Sequence, residues 1–289
     1  MRHWITTLFL LTAAVQSLAA APQGEDADRG WTFYGRFQSS SNESGMVLKM
    51  DPAVGYTFSK YLQMSAGIPV YFVRESSTEL TAPTNPGFVN GVGNAYVNGQ
   101  FTLLNPTVDY ISNLTITAPT GDENRGFSTG NVTVDWNNAF SRSFGRVTPF
   151  VNIGIANTIS DTSFFVRPFS SDGLASHFEG GTSLELHPIV SVGASGYAVR
   201  ASGEQRIISR VRRQVTGETG ATGAAARQRP IFEDVYETIA GAEAANDQGF
   251  SGWLSFFPAS KVYLQGGYSR STRYDLNSVF FGVGFRIGK

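Results

Sequence analysis

One stretch of this chain gathers residue types that ligate metals or move protons. His177-Phe178-Glu179 and Glu185-Leu186-His187 form a mirrored pair. A single metal site built from both fails on distance. In an extended strand, ten residues span ~33 Å at ~3.3 Å each. Each half alone offers two ligands, too few for a structural zinc. Asp172 and His177 are close enough in sequence to share the rim of a barrel, where an Asp–His pair or a Ser–His pair would hydrolyse bonds. Neither a G-x-S-x-G elbow nor a phosphate-binding loop is present to support catalysis. The expectation is therefore no cofactor, no metal and no enzyme.

The same residues make better sense as part of a wall. Successive side chains of a strand point to opposite faces, so alternation sorts them into two sets. In 174–186, Phe178, Leu184 and Leu186 fall on one face, while His177, Glu179, Glu185 and His187 fall on the other. In 278–287, Val279, Phe281, Val283, Phe285 and Ile287 oppose Phe280, Gly282, Gly284 and Arg286. Val132, Val134 and Trp136 oppose Asp135. Arg36 and Lys49 also fall on the polar face. A charge on a lipid-facing wall costs ~2–4 kcal/mol at mid-membrane, so a transmembrane barrel requires this sorting. Arg36, Lys49, Asp135, His177, Glu179, Glu185 and Arg286 are the candidate pore-lining residues. Each either closes a salt bridge within the wall or meets passing solute. Arg200 and Arg270 fall on the apolar face at strand ends, where lipid phosphates are expected to meet them.

About twelve alternating runs carry these faces: 31–40, 46–58, 61–73, 91–103, 109–118, 131–140, 147–157, 174–186, 189–200, 249–257, 261–271 and 278–287. Most run to ten residues or more, enough for a tilted strand to cross a bilayer, which takes ~9–11. Pro69 inside the third run predicts a bulge. Connections alternate between short and mostly longer ones, as periplasmic turns and outer loops do. The longest connection is 201–248. It carries Arg206, Arg210, Arg212, Arg213, Arg227 and Arg229 first, then Glu233, Asp234, Glu237, Glu243 and Asp247. A Gly/Ala/Thr tract at 216–226 separates the two groups. This segment reads either as a solvated outer loop or as one folded into the pore. Aromatics near the short turns predict an interfacial girdle: Tyr56, Phe58 and Tyr61; Trp136, Phe140 and Phe144; Phe256, Phe257 and Tyr263.

Composition agrees. The 289 residues include no Cys, so disulfides hold nothing. Charged residues make up 16%, below the ~25% of soluble domains, and aromatics 13%. The net charge of −1 gives no basis for binding nucleic acid. Arg2 and His3 precede the apolar stretch 5–18, and Ser17-Leu18-Ala19 offers small residues for cleavage after Ala19 or Ala20. This predicts a signal peptide at 1–20, a short periplasmic segment at 21–30 and a barrel over 31–289.

The stretches FSKYLQMSAGIPVYF, TAPTGDENRGFSTG and VDWNNAFSRSFGRVTPFVNIG resemble the outer-membrane barrels grouped as transporters of the phenol meta-degradation pathway. The likeness rests on the Pro119-Thr120-Gly121-Asp122 turn, Gly130, and the Ser-Phe-Gly turn before an Asn-containing strand. It implies a bacterial outer-membrane barrel that passes small molecules, and it supplies no substrate residues. The chain ends Phe285-Arg286-Ile287-Gly288-Lys289 instead of on the aromatic residue common in such barrels. The expectation is an all-β, antiparallel up-and-down barrel of about twelve strands, a passive channel for small solutes, with aromatic or hydrophobic compounds suggested by resemblance. Its partners would be outer-membrane lipid, the barrel-assembly machinery and the solute. The alternative is a structural or adhesive barrel whose outer loops bind a partner.

Overall fold

Alternating apolar and polar side chains build every wall strand. The computed structural model describes residues 29–43, 45–75, 88–159, 161, 166–211 and 237–288. The strands are β1 (Gly30–Asn42), β2 (Gly45–Thr57), β3 (Leu62–Gly67), β4 (Val70–Glu75), β5 (Val89–Val92), β6 (Tyr96–Leu103), β7 (Asp109–Thr117), β8 (Thr133–Ser141) and β9 (Val147–Ala156). The second half adds β10 (Phe169–Asp172), β11 (Ala175–His187), β12 (Val190–Ala201), β13 (Glu204–Ser209), β14 (Glu237–Gly241), β15 (Asp247–Ala259), β16 (Val262–Ser271) and β17 (Leu276–Gly288). All pairings are antiparallel, and β1 pairs with both β2 and β17, which closes a barrel of twelve strands. Closure pairs the uninterrupted crossings on both sides, as the hydrocarbon region demands, while the short β5 pairs with β4 alone. The uninterrupted crossings have nine to thirteen residues.

Two crossings are broken side by side. β3 and β4 form one crossing split at Ile68-Pro69, and β5 and β6 form the next, split at 93–95. Pro69 has no N–H for the ladder, so pairing stops there instead of merely bulging. The Pro69 carbonyl still accepts from Gly93 N at 2.8 Å, which stitches the two gaps together.

The outer wall is apolar along its length: Val54, Leu114, Val151, Ile153, Leu254 and Phe281 are all exposed. Such a continuous apolar surface is covered by lipid. The inner wall is mostly Ser, Thr, Asn and Gln. The expected aromatic girdle holds for Tyr56, Phe58, Tyr61, Trp136, Phe140, Phe144 and Phe256, which lie on the outer face. Phe257 and Tyr263 are a correction. Their strand parity points them inward, where their rings pack at 5.4 Å.

Of the segment 201–248, the described residues 201–211 and 237–248 correct the reading as a plain solvated loop. Ala201 ends β12, Asp247 and Gln248 begin β15, and β13 and β14 join β10 in a three-stranded sheet. Ile207, Ile208 and Val211 are buried, which an outer loop in water would not achieve. This sheet sits at the end of the long connections and packs on the wall through Ile207 against Val199 and Ala175, and through Val211 against Val47 and Val73. Arg212, Arg213, Arg227, Arg229, Glu233, Asp234 and the 216–226 tract lie outside the described residues, as does the expected signal peptide.

Candidate functional site

Inward parity brings Tyr34, Arg36 and Gln38 of β1 beside Lys49 and Asp51 of β2. Tyr71 of β4, Tyr96 and Asn98 of β6, and Thr115 of β7 continue the same surface. Together with Tyr263 they surround a lumenal cavity of about 150 Å³. Its roof is carried by loops. The Asp122 carboxylate caps a short 3-10 turn, Glu123–Arg125, by accepting from Asn124 N at 2.9 Å. Gly126 then turns the chain with φ +73°, a left-handed conformation that favours glycine. A Cβ there would also lie 2.3 Å from the Ser209 carbonyl oxygen, so the close docking of β13 depends on this glycine. Phe127 follows and stacks on Tyr71 at 5.6 Å between centroids.

Asp161 and Arg210 complete the roof. The Arg210 guanidinium lies 4.3 Å from the Tyr71 ring centre. It donates to Asp161 Oδ1 at 3.3 Å, to the Arg167 carbonyl at 2.8 Å and to Ser170 Oγ at 3.0 Å. Asp161 Oδ2 accepts from the Tyr71 hydroxyl at 2.9 Å and pairs with Lys49 Nζ at 3.4 Å. Lys49 also pairs with Asp51 at 3.5 Å. Burial alone would raise the Asp161 carboxyl, but Arg210 and Lys49 hold it well below the ordinary carboxylate range. Burial likewise works against the Arg210 charge, and Asp161 more than restores it.

A second clamp fixes the sheet. Arg206 donates to Glu237 at 2.6 Å and Glu123 at 2.8 Å, joining β14, β13 and the 3-10 turn. These hydrogen bonds raise the Arg206 pKa and lower that of Glu237. Below it, Arg167 and Asp247 pair at 3.2 Å with both side chains fully buried.

The predicted inner-wall residues separate into three places. Arg36 and Lys49 line the cavity. Asp135 adjoins the cavity as the cross-strand neighbour of its lining residue Thr115, and His177 and Glu179 follow further round the wall on β11. There His177 Nε2 meets Asp135 Oδ1 at 2.9 Å and Asn152 donates to Glu179 at 2.9 Å. His177 reaches β8 over β9 because Gly154 leaves space: a Cβ there would stand 2.1 Å from the imidazole. The proposed Asp172–His177 pair does not form, since the Asp172 carboxylate accepts from Asn131 instead, at 2.5 Å. Glu185 and Arg286 stay on the inner wall near the short turns, away from the cavity. A register shift between Glu185 and His187 places His187 at the exposed turn rather than inside.

Arg200 and Arg270 sit at the strand ends near the long connections. Arg200 donates to the Asp247 carbonyl at 3.3 Å and to Gln248 at 3.3 Å; Arg270 donates to Asn277 at 2.8 Å and pairs with Asp275. Sequence reading overlooked Asp51 and Asp161 at the cavity. Asp51 shares parity with Lys49 two residues away, so alternation could have found it. Asp161 lies in a loop that carries no period. Next to the cavity, Phe150, Trp253, Leu276 and Phe280 pack together inside the lumen, with Phe280 paired across from the cavity-lining Gln38.

No protein-family model matches the sequence, and no curated protein matches it. Among solved structures, the chain is similar to an outer-membrane channel from Pseudomonas putida F1, with 12% identity and a TM-score of 0.57 over 90% of this chain and 96% of that one. It is also similar to the NanC porin, with 9% identity and a TM-score of 0.50 over 88% of this chain and all 100% of that one. At such identities the likeness is one of fold, and that fold is the bacterial outer-membrane β-barrel.

Proposed function

We propose that this barrel is a passive outer-membrane channel for small solutes whose mouth is closed by its own loop sheet. One observation carries the reading. A polar, charge-lined cavity lies inside a lipid-covered wall, directly beneath a sheet anchored by buried ion pairs. A purely structural barrel has no need of a hydrated cavity with cations on its wall. The long-connection end would face outward, as in barrels of this kind. The barrel-assembly machinery would insert it, and Arg200 and Arg270 would meet lipid phosphates at the rim. The turn motif around Pro119–Gly130 adds aromatic or hydrophobic compounds as solutes by resemblance.

Planar-bilayer recording tests the proposal. Wild-type protein should give small, intermittent conductance. Replacing 203–246 with a short Gly/Ser linker should give larger, sustained openings. If neither form conducts, the channel reading fails. The lumenal aromatic cluster of Phe150, Trp253 and Phe280 would then favour a structural or surface-binding barrel.

A further inference from the structure

Three cations and two carboxylates line the cavity: Arg36, Lys49 and Arg210 against Asp51 and Asp161. All four carboxylate oxygens are engaged elsewhere than at Arg36. Asp51 is the cross-strand neighbour of Arg36, yet its Oδ2 pairs with Lys49 at 3.5 Å and its Oδ1 accepts from the Tyr96 hydroxyl at 3.0 Å. Asp161 Oδ1 accepts from Arg167 N at 2.9 Å and from Arg210, and its Oδ2 from Tyr71 and Lys49. Among the described residues, Arg36 makes no ion pair and no hydrogen bond. It stands on the cavity wall near the phenols of Tyr34, Tyr96 and Tyr263. Gly282, its neighbour on β17, leaves open space beside the guanidinium, with Arg36 Nε 3.8 Å from where a Cβ would be.

A guanidinium offers a planar fork of donors that fits a carboxylate with two parallel bonds. One uncompensated positive charge in a confined polar space favours a single negative charge. A cavity of about 150 Å³ has the volume that accepts a benzene-sized molecule. We infer that the cavity is a binding site for small monocarboxylates, with Arg36 as the residue that grips the carboxylate. This deepens the channel reading by naming a solute class.

Isothermal titration of the full-length, detergent-purified barrel tests it, with benzoate as the probe. Benzoate should bind about one per barrel. Neutral benzamide and the larger 2-naphthoate should each bind at least tenfold more weakly. Arg36→Gln should lose at least tenfold in benzoate affinity, and Arg36→Lys should fall between, having kept the charge but not the fork. Equal binding by Arg36→Gln, or by benzamide, overturns the role of Arg36. Equal binding of 2-naphthoate overturns the placement in this cavity, and equal binding of inorganic phosphate overturns the carboxylate class. Should Arg36→Gln fail to fold, judged by heat-dependent gel mobility, the probe series on wild-type protein decides alone. Titration needs no current, so a barrel that binds benzoate without conducting overturns the channel reading and leaves this one standing. One that conducts without binding does the reverse.

Discussion

Asp161 holds two cations at once, and its chemistry decides how firmly the mouth is closed. Its side chain is 7% exposed, as is that of Arg210. Breaking a buried pair by removing one partner costs about 3–5 kcal/mol, because the other charge is left stranded. Asp161→Asn should therefore release the loop sheet while the barrel stays folded. Raised open probability in bilayer recordings, with unchanged heat-dependent gel mobility, is the expected result. The pH dependence has a definite sign. A carboxyl whose folded pKa is depressed contributes stability above its ordinary value of ~3.9, and that contribution fades as pH falls toward the depressed one. Closure should thus be unchanged between about pH 7 and about pH 5 and weaken only below about pH 4. A sharp opening near pH 6 would point to another titrating group.

At the scale of elements, the sheet of β10, β13 and β14 is held at two depths by different physics. Arg210 acts deep, where Tyr71 stacks on it and water is scarce. Arg206 acts near the surface, against carboxylates of Glu123 and Glu237 that are 43% and 37% exposed. Exposed pairs contribute only about 0.2–1 kcal/mol and are screened by salt. Arg206→Ala should loosen closure slightly at low salt and match wild type in about 1 M salt. If its effect instead persists undiminished in salt, the clamp is less solvated than its geometry indicates. The broken crossings β3–β4 and β5–β6 lie beside this roof, where Phe127 and Tyr71 need the room.

Taken whole, the molecule is a lipid-covered cylinder whose interior holds an aromatic cluster next to a charged cavity. The wall tolerates polarity inward and little outward. Val151 lies mid-strand in β9 and faces lipid. Val151→Arg should cost about 2–4 kcal/mol of folding free energy in lipid vesicles. Thr148, on the inner face of the same strand, should tolerate Arg at a smaller cost. Equal costs at the two positions would contradict the assignment of faces.

The sequence by itself determined the twelve crossings, their inner and outer faces, and the alternation of short and long connections. Those are local properties: period two is written into neighbouring residues, and lipid tolerates only one solution. Arg36, Lys49, Asp135, His177 and Glu179 were readable as inward for that reason. Only the tertiary structure decided which inward charges meet. Lys49 joins Asp161 across more than a hundred residues of chain, His177 crosses a whole strand to reach Asp135, and Arg36 is left without a partner among the described residues. It also decided that 204–209 and 237–241 join β10 in a sheet, because loop segments carry no period that announces where they dock. The barrel was written in the pattern; its closed mouth and charged cavity arise from contacts that no pattern along the chain encodes.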